Sequence, residues 1–325
     1  DGSISTATLG TDNVKLGEGA GASIVSGGNY NTLVGKDAGT AITTGDYNTA
    51  VGQLALDANT TGSNNTALGR ISLSAATTAD NNTAVGYAAG ESITTGTNNV
   101  LVGASSGDAI TTGSENTAVG TSALSANTAS EATAIGFEAA KSNTTGVNLT
   151  AVGKRALEDN TTGNSNTAVG LQCLADNTTG SSSTAMGVAA LRNNTTGDFN
   201  VAIGQDALND NTTADNNTAV GYQSGSSNTT GTENTAAGSM SLKLNTTGSS
   251  NSAFGRYALL NNTTASNNTA VGRSALQENT TASNNVAVGY QAGYLNTTGS
   301  SNTAVGNYAN KSCTTGYTNV SIGLQ

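Results

Sequence analysis

A five-residue tract, N-T-A-V-G with close variants, returns at a fixed interval along the chain, and this period limits the fold more than any other feature. Its glycine stands at Gly35, Gly52, Gly69, Gly86, Gly103 and Gly120, then at Gly136, Gly153, Gly170, Gly187, Gly204 and Gly221, and finally at Gly238, Gly255, Gly272, Gly289, Gly306 and Gly323. Every step is 17 residues except Gly120 to Gly136, which is 16, a one-residue deletion in the turn around Ala129 to Glu131. A degenerate copy, Asn13 to Gly17, lies 18 residues before Gly35. About nineteen copies therefore fill residues 13–325, leaving 1–12 outside the register.

The unit reads N-T-A-V-G-x-x-A-L-x-x-N-T-T-G-x-x, numbered here from the motif glycine as zero. A helical repeat would need an apolar stripe at 3.6 spacing and good helix formers, whereas each unit sets Thr and Val beside Gly and Asn. The period predicts an all-β fold, a parallel β-solenoid (β-roll or β-helix) of about nineteen 17-residue coils, as one continuous body over 13–325. At a coil spacing of about 4.8 Å it would form a rod roughly 90 Å long. Residues 1–12 hold a strand-like stretch, Ile4 to Leu9, expected to be a linker or an inserting strand.

Column by column, the charges segregate: all 28 charged residues from Lys36 onward fall at +1, +2, +5, +6, +11 or +12. Position −1 is Val, Leu, Ile, Met or Phe in every copy but Ala237, which predicts a dry interior for it. Position −3 alternates Thr with Val100, Val201, Val286 and Val320, near-isosteric residues, and so is expected to share that inward face. Position −2 is Ala in 15 of 18 coils, the others being Leu33, Leu101 and Ser321, and on this reading it points outward. An uncharged file of small outward residues, with Ala118, Ala168, Ala219 and Ala270 as examples, is then a candidate interface for a second copy, the alternative being a second packed layer formed by the chain's own turns.

Asparagine dominates two columns, −4 in 15 of 18 coils and +7 in 12 of 17. Asn31, Asn116, Asn217 and Asn302 in the first, and Asn160 and Asn211 in the second, are expected to stack as side-chain hydrogen-bond ladders at the coil corners. Where +7 is Ile42, Ile93 or Ile110, +4 is Gly39, Gly90 or Gly107, which suggests volume compensation inside one corner. The N-x-T sequons at Asn59, Asn160, Asn211 and Asn262 would be glycan acceptors in a eukaryotic secretory context, but the ladders demand Asn and Thr at those columns whatever the compartment.

Composition narrows the function. With no His, the commonest general base and neutral metal ligand are missing, which excludes Ser-His-Asp, Cys-His and His-metal chemistries. A net charge of −10 disfavours nucleic acid as a partner. No run of about 18 apolar residues predicts a membrane span, and no charged-then-apolar leader opens the chain. Two cysteines, Cys173 and Cys313, sit eight coils apart and read as packing thiols. Acidic residues such as Asp206, Asp210 and Asp215 fall in different variable columns and read as solvated surface, so no cofactor or metal is expected. Tyr87, Tyr222, Tyr257, Tyr290 and Tyr308 at +1 or +2 are candidate surface contacts for a glycan or a neighbouring chain.

The tracts Asn81 to Gly86 and Asn267 to Gly272 resemble the N-S-V-A-I-G repeats of trimeric autotransporter adhesin heads, parallel β-rolls whose three chains pack side by side. The unit from Asn285 to Gly299 is similar to repeats of tail-fibre and surface proteins of marine bacteria and their phages. The resemblance implies a trimeric fibrous or binding part without catalysis, at the cell surface, outside the cell or on a virion appendage. It departs from the adhesin heads in its longer period and in showing no stalk or anchor motif. The functional expectation is a structural subunit of an extracellular filament, self-associating laterally or head to tail. The last coil, Asn319 to Gly323, is followed only by Leu324 and Gln325, so its strand edge is expected to be open. The alternatives are an adhesin or tail-fibre module for a cell-surface glycan and, more remotely, an ice-binding protein. Adjacent Thr pairs leave a single outward file in each coil, which weakens the last.

Overall fold

The computed structural model describes residues 10–324; Ile4 to Leu9, the expected linker or inserting strand, lie outside them. The described chain is all-β, with no helix. It divides into two compact units, Asp1–Thr162 and Gly163–Gln325, built alike. The first holds β1 (Val14–Leu16), β2 (Thr32–Val34), β3 (Thr49–Val51), β4 (Thr66–Leu68), β5 (Thr83–Val85), β6 (Val100–Val102), β7 (Thr117–Val119), β8 (Ala132–Ile135) and β9 (Leu149–Val152). The second holds β10 (Thr167–Val169), β11 (Thr184–Met186), β12 (Val201–Ile203), β13 (Thr218–Val220), β14 (Thr235–Ala237), β15 (Ser252–Phe254), β16 (Thr269–Val271), β17 (Val286–Val288), β18 (Thr303–Val305) and β19 (Val320–Ile322).

Within each unit every strand pairs in parallel with the next, like position over like position: Thr49 faces Thr66, Ala50 faces Ala67, Val51 faces Leu68. This is the stacked-coil solenoid that the period predicts. The short coil does not break it, since Thr117 still pairs with Thr133 and Val119 with Ile135. β8 and β9 are one residue longer than the rest, and there Ala132 and Leu149 replace the corner asparagine. Without an amide side chain competing for the backbone, the ladder extends by one pair, Ala132 to Leu149.

The strand faces are the reverse of the expected ones. Ala118, Ala168, Ala219 and Ala270 are completely buried inside their own coils, along with nearly the whole −2 file. The apolar −1 residues point to solvent: Val220 is 41% exposed, Met186 44% and Phe254 43%. The physical reason is the thinness of the coil. Opposite the strand, the turn brings in Leu56, Leu124, Leu157, Leu208 or Leu259 at +4 and a small residue at +3, all buried. Where +4 is leucine, only a side chain the size of alanine fits between strand and turn; valine would overpack. The alanine file is thus core and cannot serve as an interface with another chain.

The corner compensation is visible in atoms. A Cβ placed on Gly107 would lie 2.8 Å from Ile110 Cδ1 and 2.8 Å from Leu101 Cδ2. Ile110 and the rare −2 leucine, Leu101, therefore fill the space that the missing +4 leucine leaves.

Candidate interaction faces

The corner asparagines make two internal files. In the −4 file, the backbone N–H of Asn217 donates to Asn200 Oδ1 at 3.0 Å, that of Asn116 to Asn99 Oδ1 at 3.0 Å, that of Asn302 to Asn285 Oδ1 at 2.9 Å, and that of Asn31 to Asn13 Oδ1 at 2.8 Å. In the +7 file the amides run side chain to side chain, Asn160 Nδ2 to Asn143 Oδ1 at 2.8 Å and Asn211 Nδ2 to Asn194 Oδ1 at 2.9 Å. The two files converge on one acceptor per coil. The Ala214 carbonyl receives Asn200 Nδ2 at 2.7 Å and Asn211 Nδ2 at 3.0 Å. Both files are buried, so they hold the coils together and offer nothing to a ligand.

The outward sheet face is the first surface of interest. It carries half-buried Thr at −3 and exposed aliphatics at −1, among them Leu68, Ile135, Ile203 and Val271. Single exposed apolar side chains are ordinary, but here they repeat coil after coil with no charge between −4 and 0. Beside it runs a single exposed Thr file at +9, such as Thr61 and Thr247, next to half-buried +8 threonines whose hydroxyls donate to the following coil, as from Thr246 Oγ1 to the Thr263 carbonyl at 3.0 Å.

The second surface is the flank at +1, +2 and +5, where the tyrosines lie. Tyr87, in the first unit, sits 5.7 Å beneath the Arg70 guanidinium. Tyr222 is exposed. Tyr257, Tyr290 and Tyr308 belong to a group that the sequence reading named only in part. Tyr290 and Tyr308 meet edge to face, centroids 5.2 Å apart at 82°. Arg273 lies 6.0 Å over the Tyr290 ring, Arg256 4.4 Å over Tyr257, and Lys311 4.6 Å over Tyr308 and 6.0 Å over Tyr294. The missed members, Arg256, Arg273, Tyr294 and Lys311, were findable: each falls at +1 or +5 one or two coils from a named tyrosine. A further stack, Tyr30 on Tyr47 at 5.0 Å and 8°, occupies +12 in the first unit.

A shallow cleft of about 420 Å³ is lined by Leu54, Asp57, Ile71, Ser74, Ala75, Glu91 and Ser92. Asp57 Oδ1 is buried there without a hydrogen-bond partner, and burial, with the Asp37 carboxylate adding, pushes its carboxyl pKa up. Elsewhere in the first unit Glu138 is bridged by Lys141 at 2.9 Å and Arg155 at 2.9 Å, and these cations hold its carboxyl below the usual range. Among the described residues, no group of three or more His, Cys, Asp or Glu could hold a metal ion. Nor is any helix long and apolar enough to cross a membrane. Cys173 and Cys313 are both free thiols.

No known protein-family model matches the chain, and no curated protein matches it in sequence.

Proposed function

We propose that this protein is a non-enzymatic structural subunit of an extracellular filament or fibre, in which solenoids associate side by side through the outward sheet face. The observation that supports this reading is the apolar file at −1, exposed in most coils, half-buried in the rest, and bordered by threonine rather than charge. Charged residues are depleted at the cores of protein interfaces, and this face has none between −4 and 0. Every copy presents the same face at the same spacing, so a closed symmetric group forms by repeating one contact. The adhesin-head resemblance implies a threefold group. Burying the aliphatics between copies contributes about 25 cal/mol for each Å² removed from water, summed over many coils.

Electron microscopy of the purified chain tests this. Rods thickened by lateral pairing of coils, as trimers or longer fibres, are expected. A uniform field of thin single-chain particles at micromolar concentration overturns the proposal.

A further inference from the structure

We propose that the flank formed by Arg256, Arg273, Tyr290, Tyr308 and Lys311 binds an anionic polysaccharide, sugar rings lying on the tyrosines and carboxylates on the cations. The proposal uses different residues from the self-association face and goes beyond it.

Charge is the first ground. From residue 234 onward the chain has four cations, Lys243, Arg256, Arg273 and Lys311, against one side-chain carboxylate, Glu278. The preceding 233 residues hold seven cations against twenty carboxylates. A basic region on an acidic chain attracts an anion locally while the remainder of the surface repels it. Glu278 keeps its charge while accepting from Asn261 Nδ2 at 2.7 Å and Gln277 Nε2 at 3.0 Å, and the four cations still outnumber it.

Arrangement is the second. Arg256, Arg273, Tyr290 and Asn307 occupy +1 in four successive coils, with Tyr257, Ser274, Gln291 and Tyr308 beside them at +2. Arg256, Arg273 and Asn307 are exposed, and the Tyr290 and Tyr308 rings are half-buried, fixed in orientation by each other and by the cations above them. The faces of such rings carry negative charge density that suits the polarised C–H groups of a pyranose. The row advances by one coil, about 4.8 Å, per position. That is close to the length of one pyranose residue, so a linear polymer lying along the stack meets a guanidinium, a guanidinium, an aromatic ring and an amide in turn.

The test titrates the full chain with polygalacturonate, its fully methyl-esterified form and neutral dextran, by calorimetry at low and high salt. Binding to polygalacturonate alone is expected, weakening as salt rises. The Arg256→Gln/Arg273→Gln variant and the Tyr290→Ala variant should each lose about tenfold or more in affinity. Arg70→Gln, beside the isolated Tyr87, should change nothing, and Val220→Lys on the sheet face should bind as the parent does even if it no longer self-associates. The proposal is overturned if polygalacturonate does not bind, if the esterified or neutral polymer binds equally, or if the double arginine variant binds like the parent. It is also overturned if that variant instead dissociates copies of the chain while polymer binding persists, which would assign the flank to a second copy.

Discussion

Asn211 donates from Nδ2 to Asn194 Oδ1 across 2.9 Å, with both side chains wholly buried. Asn228 in turn donates to Asn211 Oδ1 at 3.0 Å, so the amide is used at both ends. A coil this thin has little apolar volume to bury, and amide files supply order in its place. Asn211→Ala leaves both neighbours short of a ladder partner, and a loss of about 1–3 kcal/mol in unfolding free energy is expected. Urea denaturation measures it; a change below about 0.5 kcal/mol, the range of ordinary surface substitutions, would contradict the ladder's role.

Most coils also carry non-glycine residues at positive φ, and Ile71 at φ +54°, being β-branched, is poorly suited to it. The left-handed conformation costs an ordinary residue roughly 1–2 kcal/mol, whereas asparagine tolerates it. Ile71→Asn is expected to stabilise the chain by about 1 kcal/mol, and Ile71→Val to give no gain. A lower melting temperature for the asparagine variant would show that packing of Ile71 over the cleft outweighs backbone strain.

The alternation of these strands was legible in the sequence, but its direction was not. The repeat, the parallel stacking, the Asn corners and the Gly107–Ile110 compensation follow from column statistics, because identical residues stack on themselves. The inward face was misjudged because valine looks like core and alanine like spacer. Tolerance was the better signal: −1 accepts Met186, Phe254 and Ala237, sizes that only an open surface accommodates, while −2 stays at alanine. The tyrosine–cation flank was half legible, since tyrosines were singled out one by one rather than with the charges one coil away.

Asp57 gives a pH signature. Burial raises its carboxyl pKa above the ordinary 3.8, so the folded chain holds that proton more tightly than the unfolded chain. Stability therefore falls as pH rises from 3.8 through the raised value. Asp57→Asn is expected to raise the urea midpoint at pH 7 and to give a shrinking advantage as pH drops towards the ordinary carboxyl pKa. An equal shift at pH 4 and pH 7 would contradict a buried, penalised carboxylate.

Burial pushes the Cys173 thiol up to about 12. In the native chain Cys173 should therefore resist iodoacetamide at pH 8, and mass spectrometry of the labelled protein should find it modified only after unfolding. Rapid native labelling at Cys173 would mean that the coil opens locally.

Lateral association through the aliphatic sheet face is read out by sedimentation equilibrium of the parent beside a Val220→Lys/Val271→Lys variant. Both valines point to solvent, so the variant should keep the β-rich circular dichroism of the parent. The parent should sediment at a multiple of 31.8 kDa and the variant at 31.8 kDa. A parent at 31.8 kDa, or a variant that assembles as the parent does, would contradict it.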